Sequence, residues 1–296
     1  MTVNSYAKIN LYLNVVSRYK NGYHGLRSIF ALTDLCDVMT YESSSIGQNE
    51  ITVGNALLGE DNLISKAAAA FRSYLAKTMP HITVPPLKIH TEKHIPMGGG
   101  LGGGSSNAAA MLNILNRLCG SPLSAAQLCH LGASLGADVP FFIRGGVQRV
   151  FGIGQITAPM NVKLDLPILL VFPKTRVNTA AAYSAMDDCH ICGNTYNEQK
   201  RYRLVRDGLI TGNIDHIATG LYNKFEEVIF PNNPELPQIK SDLVKCGALA
   251  ALMSGSGSTM FGLCRTPDIL HNCADKMRKL GYEVFLSEIK QKINRG

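Results

Sequence analysis

Residues 3–16 alternate: Ala7, Ile9, Leu11, Leu13 and Val15 fall on one face and Lys8, Asn10 and Asn14 on the other. A period of two predicts a strand, here with an unusually well-furnished polar face. "HGLRSIFALTDLCDVMTYE" continues in strand character. The period then lengthens. Asp61 stands as cap of a helix to about Met79, with Leu63, Ala67, Phe71 and Leu75 on one stripe. "PPLKIHTEK" is another strand and runs into a glycine loop. Ser105 and Ser106 are placed to cap a helix to Leu118, ended by Gly120. Ser124 and Gln127 form a capping box for the next helix, stopped by Gly136, and Asp138 stands where it could cap a further turn.

In the second half "LPILLVFP" (166–173) is a buried strand. Residues 175–242 are mostly helical around a loop at 188–196, and "PNNPELP" (231–237) is a connector. The end predicts strand (248–253), "SGSGS", strand (259–263), helix (267–280) and strand (282–288). Glycine and proline mix in "VFGIGQITAPMNVKLDLP", so a domain boundary is expected near 150–165, placed at 158/159. There is no fixed-period repeat.

The 296 residues, 46% hydrophobic and 17% charged, describe a globular protein. No apolar run reaches the roughly 20 residues that span a bilayer, and the N-terminus resembles neither a signal nor a transit peptide. A cytoplasmic location without membrane attachment is expected. Of eight cysteines only Cys189-His190-Ile191-Cys192 has a suggestive spacing, and one such pair without a second is read as a loop feature. The net charge of +7 favours an anionic partner. "KRYRLVR" (200–206) could suggest nucleic acid but reads as a solvated helix face, so no nucleic-acid partner is expected.

The candidate chemistry centres on "PMGGGLGGGSSNAAA" (96–110), six glycines ahead of good helix formers. Strand, glycine loop and helix start together make an anion site, because exposed N–H groups and the positive helix end share one spot. The residues alone leave a tightly packed turn as the alternative. Three familiar phosphate loops do not fit. Ser105 stands where a Walker A loop needs lysine, the dinucleotide fingerprint lacks its acidic residue in "RLCGSPLSAAQ", and the protein-kinase motifs are missing.

"PMGGGLGGGSSNAA" resembles the central motif of the GHMP kinases, the superfamily of galactokinase, homoserine kinase and mevalonate kinase. "AKINLYL" (7–13) is similar to its first motif and "LMSGSGSTMFG" (252–262) to its third, in the same order. "NGYHGLRSIF" (21–30), "DNLISKA" (61–67) and "LGADVPFFI" (135–143) are similar to members acting on a cytidine diphosphate alcohol.

The resemblance implies an α+β two-domain fold. Residues 1–158 would form a ribosomal-protein-S5-domain-2-like domain carrying the ATP loop. Residues 159–296 would form a ferredoxin-like domain with split βαβ elements that contributes to the substrate site. The implied reaction moves the γ-phosphoryl of ATP to the 2-hydroxyl of the erythritol portion of a cytidine diphosphate substrate, on the methylerythritol phosphate route to isoprenoids. Pro96, Met97, Gly98, Gly99, Gly100, Leu101, Gly102, Gly103, Gly104, Ser105 and Ser106 would wrap the phosphates, with Lys93 and Asn62 near the nucleotide. Asp138 matches the catalytic base, with a plain helix cap as its alternative, and Lys8 the catalytic lysine, otherwise an exposed strand lysine. Tyr23, His24 and Tyr183 match positions that sandwich and read the base. Asn10 and Thr179 are candidate polar contacts. Gly255, Ser256 and Gly257 would help enclose phosphate and hydroxyl, or else form a plain hairpin turn. ATP chemistry implies Mg²⁺, with Ser105 or Ser106 as possible hydroxyl donors and no assigned ligand. A monomer or weak homodimer is expected. The rival readings are a homoserine- or mevalonate-type kinase of the same fold and a catalytically silent nucleotide-binding protein.

Overall fold

The computed structural model describes residues 1–57, 59, 61–162, 165–173, 175–189 and 193–289. Histidine 190 to cysteine 192, most of the suggestive cysteine spacing, therefore lie outside the described residues. Strand β1 (Thr2–Arg18) is followed by β2 (His24–Ser43), β3 (Glu50–Val53), β4 (Ala56–Leu57), α1 (Leu63–Thr78) and β5 (Leu87–Glu92). Then come α2 (Gly103–Leu118), α3 (Ala125–Ala133), α4 (Val139–Arg144), β6 (Val147–Gly152), β7 (Ile156–Pro159) and β8 (Leu166–Phe172). The rest comprises α5 (Thr179–Asp188), α6 (Tyr196–Thr211), α7 (Ile214–Gly220), β9 (Tyr222–Asn223), α8 (Glu226–Ile229), α9 (Glu235–Lys245), β10 (Ala250–Met253), β11 (Met260–Leu263), α10 (Pro267–Lys279) and β12 (Glu283–Ile289). The architecture is α+β.

The long β2 organises everything. One edge pairs with β1 antiparallel along almost its whole length. The other edge is shared: β6 takes Leu26–Ala31, β12 meets it at Thr33, and β5 takes Val38–Ser43. Through β12 the sheet continues into β8, β11 and β10. The stretch read as a glycine- and proline-rich boundary folds into the antiparallel β6–β7 hairpin.

Three clusters form the core. Phe71 and Leu75 of α1 and Met111, Leu112 and Leu115 of α2 pack on Met39, Tyr41 and Ile89. Leu236, Ile239 and Leu243 of α9 and Leu270 and Met277 of α10 pack on Leu169, Val171, Ala251 and Met253. The third joins the two: Ala7, Ile9 and Leu11 meet Ile168, Leu170, Phe261 and Leu263, with Val205 and Leu209 of α6. Each fully buried aliphatic or aromatic side chain contributes roughly 1.5–3 kcal/mol, so this third layer binds the halves firmly.

Local signals differ from expectation at three helix starts. Asn62, not Asp61, caps α1: its side chain accepts the Ser65 N–H at 2.9 Å, while Asp61 projects into solvent. Helix α2 begins at Gly103, with Gly102 in the left-handed region and no side-chain cap, so Ser105 and Ser106 are already helical. Asp138 occupies the cap position of α4, but its carboxylate caps nothing. The Ser124–Gln127 capping box forms as expected. The end of "PNNPELP" belongs to α9.

Candidate active site

The expectation of one apolar and one polar face on β1 changes in the structure. Its ladder with β2 shifts register between Tyr6 and Lys8, between Asn10 and Tyr12, and between Val15 and Ser17. Such irregularities re-aim side chains. Every residue from Ala7 to Val15 is buried, the polar ones included. Lys8 is only 4% exposed and is no solvated strand lysine. Its backbone N–H leaves the ladder and donates to the Leu101 carbonyl of the glycine loop at 2.9 Å.

The loop alternates handedness, with Gly98, Gly100 and Gly102 at φ of 77°, 76° and 73°. Part of the reason for glycine is internal. A Cβ on Gly100 would stand 2.2 Å from the Ser254 carbonyl oxygen, and one on Gly99 2.5 Å from Thr259 Oγ1. One on Gly102 would stand 2.7 Å from the Phe142 ring. The glycines thus let the "SGSGS" turn lie directly against the loop, with Ser254 Oγ donating to the Gly100 carbonyl at 3.2 Å. Asn223 fixes that turn from below, its Nδ2 donating to the Met253 and Gly255 carbonyls at 2.7 and 2.8 Å. The first N–H groups of α2 have no intrahelical acceptor. Residues Pro96 to Ser105, with Leu63, Lys93 and Ile95, line a hollow of about 290 Å³ there.

Gly100 and Gly102 also line a larger neighbouring cavity of about 830 Å³, shared with Lys8, Asn10, Tyr23, His24, Asp138, Thr179, Tyr183, Gly255 and Ser256. Lys8 Nζ lies 3.8 Å from Asp138 Oδ2, donates to Asn10 Oδ1 at 2.7 Å and sits 4.7 Å from the Phe30 ring centre. Burial pulls the Lys8 ammonium below its ordinary pKa, and the Asp138 charge and hydrogen bond partly offset this. Thr179 and Ser256 join their hydroxyls at 2.6 Å within the second half of the chain.

At the far end Tyr183 stacks on His24, ring centres 4.7 Å apart at 21°, and meets Phe225 edge-on at 4.9 Å. His24 Nε2 bonds to Asp187 Oδ1 at 2.8 Å, and Arg18 pairs with the same carboxylate at 3.2 Å. Tyr23 stands at the rim, 58% exposed.

Three expected site residues sit otherwise. Asn62 holds the start of α1 and lines neither hollow. Ser106 accepts from Ser5 Oγ and faces a separate cavity on the other side of α2. Gly257 lies behind the turn, where a Cβ would meet Met253 Sδ at 2.7 Å. Lys93 does reach the loop hollow, yet its ammonium is engaged by Asp37 and Asn107. Asp37, Asp187 and Asn223, which position the others, went unnoticed in the sequence. No spacing marks them, because each acts on chain remote from itself.

Among the described residues no group of three or more His, Cys, Asp or Glu could hold a metal ion. The oxygen donors that line the two hollows, Asp138 and the Ser105 hydroxyl, are of the kind Mg²⁺ takes alongside phosphates and water, and do not form a protein cage. No helix among the described residues is long and apolar enough to cross a membrane.

A glycine cradle thus faces a Lys–Asp pair across two adjoining hollows. Residues 62–146 match the GHMP kinases N terminal domain, and residues 205–283 the GHMP kinases C terminal domain. The chain belongs to the GHMP kinases. A homoserine kinase from Cytophaga hutchinsonii shares the fold at 18% identity, with TM-score 0.76 over 99% of this chain and 95% of that one. Within the superfamily the chain belongs with the 4-diphosphocytidyl-2-C-methyl-D-erythritol kinases. It is 37% identical over 293 residues to the protein of that name from Nitratidesulfovibrio vulgaris, spanning 96% of this chain and 97% of that protein. It is 36% identical to the one from Porphyromonas gingivalis, over 90% and 93%. A crystal structure of 4-(cytidine 5'-diphospho)-2C-methyl-D-erythritol kinase superposes with TM-score 0.80 at 30% identity, over 99% and 100% of the two chains.

Proposed function

We propose that this chain transfers the γ-phosphoryl of ATP to the 2-hydroxyl of 4-diphosphocytidyl-2-C-methyl-D-erythritol, in isoprenoid precursor synthesis. The observation that carries the reading is the Lys8–Asp138 pair, 3.8 Å apart, in a cavity that shares Gly100 and Gly102 with the loop hollow. The triphosphate lies along the loop amides. The acceptor alcohol enters the larger cavity, and its cytosine is held by Tyr23, His24 and Tyr183.

Phosphoryl transfer needs position and charge stabilisation more than covalent help. Asp138, free of capping duty, orients the hydroxyl and accepts its proton as the P–O bond forms. The Lys8 ammonium pairs with Asp138 and offsets charge on the transferring group. Asn10, which accepts from that ammonium, holds it in the cavity. Mg²⁺, when bound, neutralises phosphate oxygens. Thr179, Gly255 and Ser256 close the cavity from the second half. A cytoplasmic location, a monomer or weak homodimer, and no nucleic-acid partner belong to the same reading.

The test is ADP release with the cytidylyl alcohol, homoserine and mevalonate offered separately. Turnover on the first alone is expected. Turnover on either of the others alone would overturn the substrate, and none on any would favour a silent binder.

A further inference from the structure

Asp37 is fully buried in the middle of β2, outside both hollows. Its carboxylate accepts four hydrogen bonds. Oδ1 takes the backbone N–H groups of His94 and Ile95, both at 2.9 Å. Oδ2 takes Nδ2 of Asn107 at 2.9 Å and the ammonium of Lys93. Lys93 also donates to Asn107 Oδ1 at 3.0 Å. These donors bracket the glycine loop: residues 93–95 form its entry, and Asn107 stands in the first turns of α2, where the loop has become helix.

A loop with six glycines in eleven residues has a large unfolded ensemble, and binding a ligand to it must overcome that freedom. Burying a carboxylate is unfavourable unless every lone pair is used. Here every bond runs to one foot of the loop or the other. We infer that Asp37 is a positioning residue that clamps both feet of the loop, so that its amides meet ATP already arranged. The inference rests on the proposed placement of ATP.

The geometry dictates the variant. In Asp37→Asn one oxygen can still accept the two backbone N–H groups, but the new NH₂ faces two donors, Lys93 and Asn107. Adding Asn107→Asp restores the net charge and gives the new NH₂ and Lys93 a carboxylate acceptor on the helix foot, while Lys93 still faces that NH₂ and Ser5 Oγ must turn its proton towards position 107. Losing bonds to a charged group is expected to raise the KM for ATP about tenfold in Asp37→Asn. The KM for the alcohol and kcat should stay within about twofold, and the double variant, which mends the tie between positions 37 and 107, should recover part of the loss. A defect of general folding would move both KM values, and equal changes, a loss in kcat alone, or no recovery would overturn the clamp. Should Asp37→Asn precipitate, Asn107→Ala leaves the Asp37 carboxylate and its entry-side bonds, removes the helix-side tie along with the Asn107 bonds to Lys93 and Ser5 Oγ, and must show the same KM split.

Amide hydrogen exchange separates this inference from the function on which it rests. In the free enzyme Asp37→Asn should speed exchange across 96–106 while α9 and α10 keep wild-type rates; unchanged loop exchange refutes the clamp. In wild type a non-hydrolysable ATP analogue should protect the same amides. Lack of protection there refutes the ATP placement, whatever Asp37→Asn does.

Discussion

At the residue scale the proposed role of Lys8 sets function against stability. Its burial lowers its pKa from 10.5, so between the depressed value and 10.5 the folded chain holds fewer protons than the unfolded one. That effect opposes folding fully below the depressed value and fades as pH rises towards 10.5. Lys8→Met removes it. Asp138, left alone, keeps water contact because its side chain is 30% exposed. Lys8→Met should therefore match or exceed the wild-type melting temperature at pH 7 while kcat falls by about 10²–10³. A large drop in melting temperature would mean that the lysine is structural. Because Asp138 supports the charged form, Asp138→Asn should lower the Lys8 pKa further, read from the Cε carbon shift in an NMR titration. Its kcat should fall about 10²–10⁴ with ATP binding retained. A near-wild-type rate in either variant removes the catalytic role. Strand alternation placed Lys8 and Asn10 side by side. That the shared face lines a cavity could not be read there, since the glycine loop, α4 and the second half of the chain enclose it.

At the scale of elements, the two facing loops separate two demands on glycine. Gly98 has a positive φ, and a Cβ added there would meet nothing within 4 Å, so Gly98→Ala should cost about 1–2 kcal/mol of backbone strain and no more. Gly100→Ala meets the same strain and a backbone oxygen at 2.2 Å, which cannot yield without parting the two loops. It should lose at least about 3 kcal/mol in urea unfolding and raise both KM values. Equal losses at the two positions would sink the packing argument. Helix α5 supports the other end of the cavity. Tyr183→Ala removes the ring from His24 and should raise the KM for the cytidylyl alcohol well above any change for ATP; equal effects would count against a cytosine stack. The loop was legible as a glycine cradle at a helix start because glycine density and a following helix are local signals. Its cap was misread because Gly102, in the left-handed region, lets α2 start two residues before the serines. In the same way Asn62, not Asp61, caps α1, a one-residue choice that propensity cannot make.

At the scale of the molecule, strands at 3–16, 166–173, 248–253 and 259–263 were legible from alternation and apolar runs, but the division of the β2 edge among β6, β12 and β5 was not. Such pairings join residues up to 256 positions apart, as Thr33 and Ile289 do, and no local pattern encodes them. The seam they make is short in backbone terms. Asp34 reinforces it by accepting Ser287 Oγ at 2.5 Å and the Glu288 N–H at 2.9 Å. Beside it the third core cluster is continuous from Ile9 and Leu11 to Ile168, Leu170 and Phe261. The parallel contact of β9 with β1 at Tyr12 and Leu13 crosses the same divide. Unfolding either half alone would expose that apolar layer on the other. The protein should therefore melt in one calorimetric transition, with van't Hoff and calorimetric enthalpies agreeing. Asp34→Ala removes two bonds but none of the apolar layer. It should lower the midpoint by a few degrees, corresponding to about 1–2 kcal/mol, and leave the transition single. Two resolved transitions in wild type would show that the catalytic cavity is built between independent units, and that the shared core does less than its burial implies.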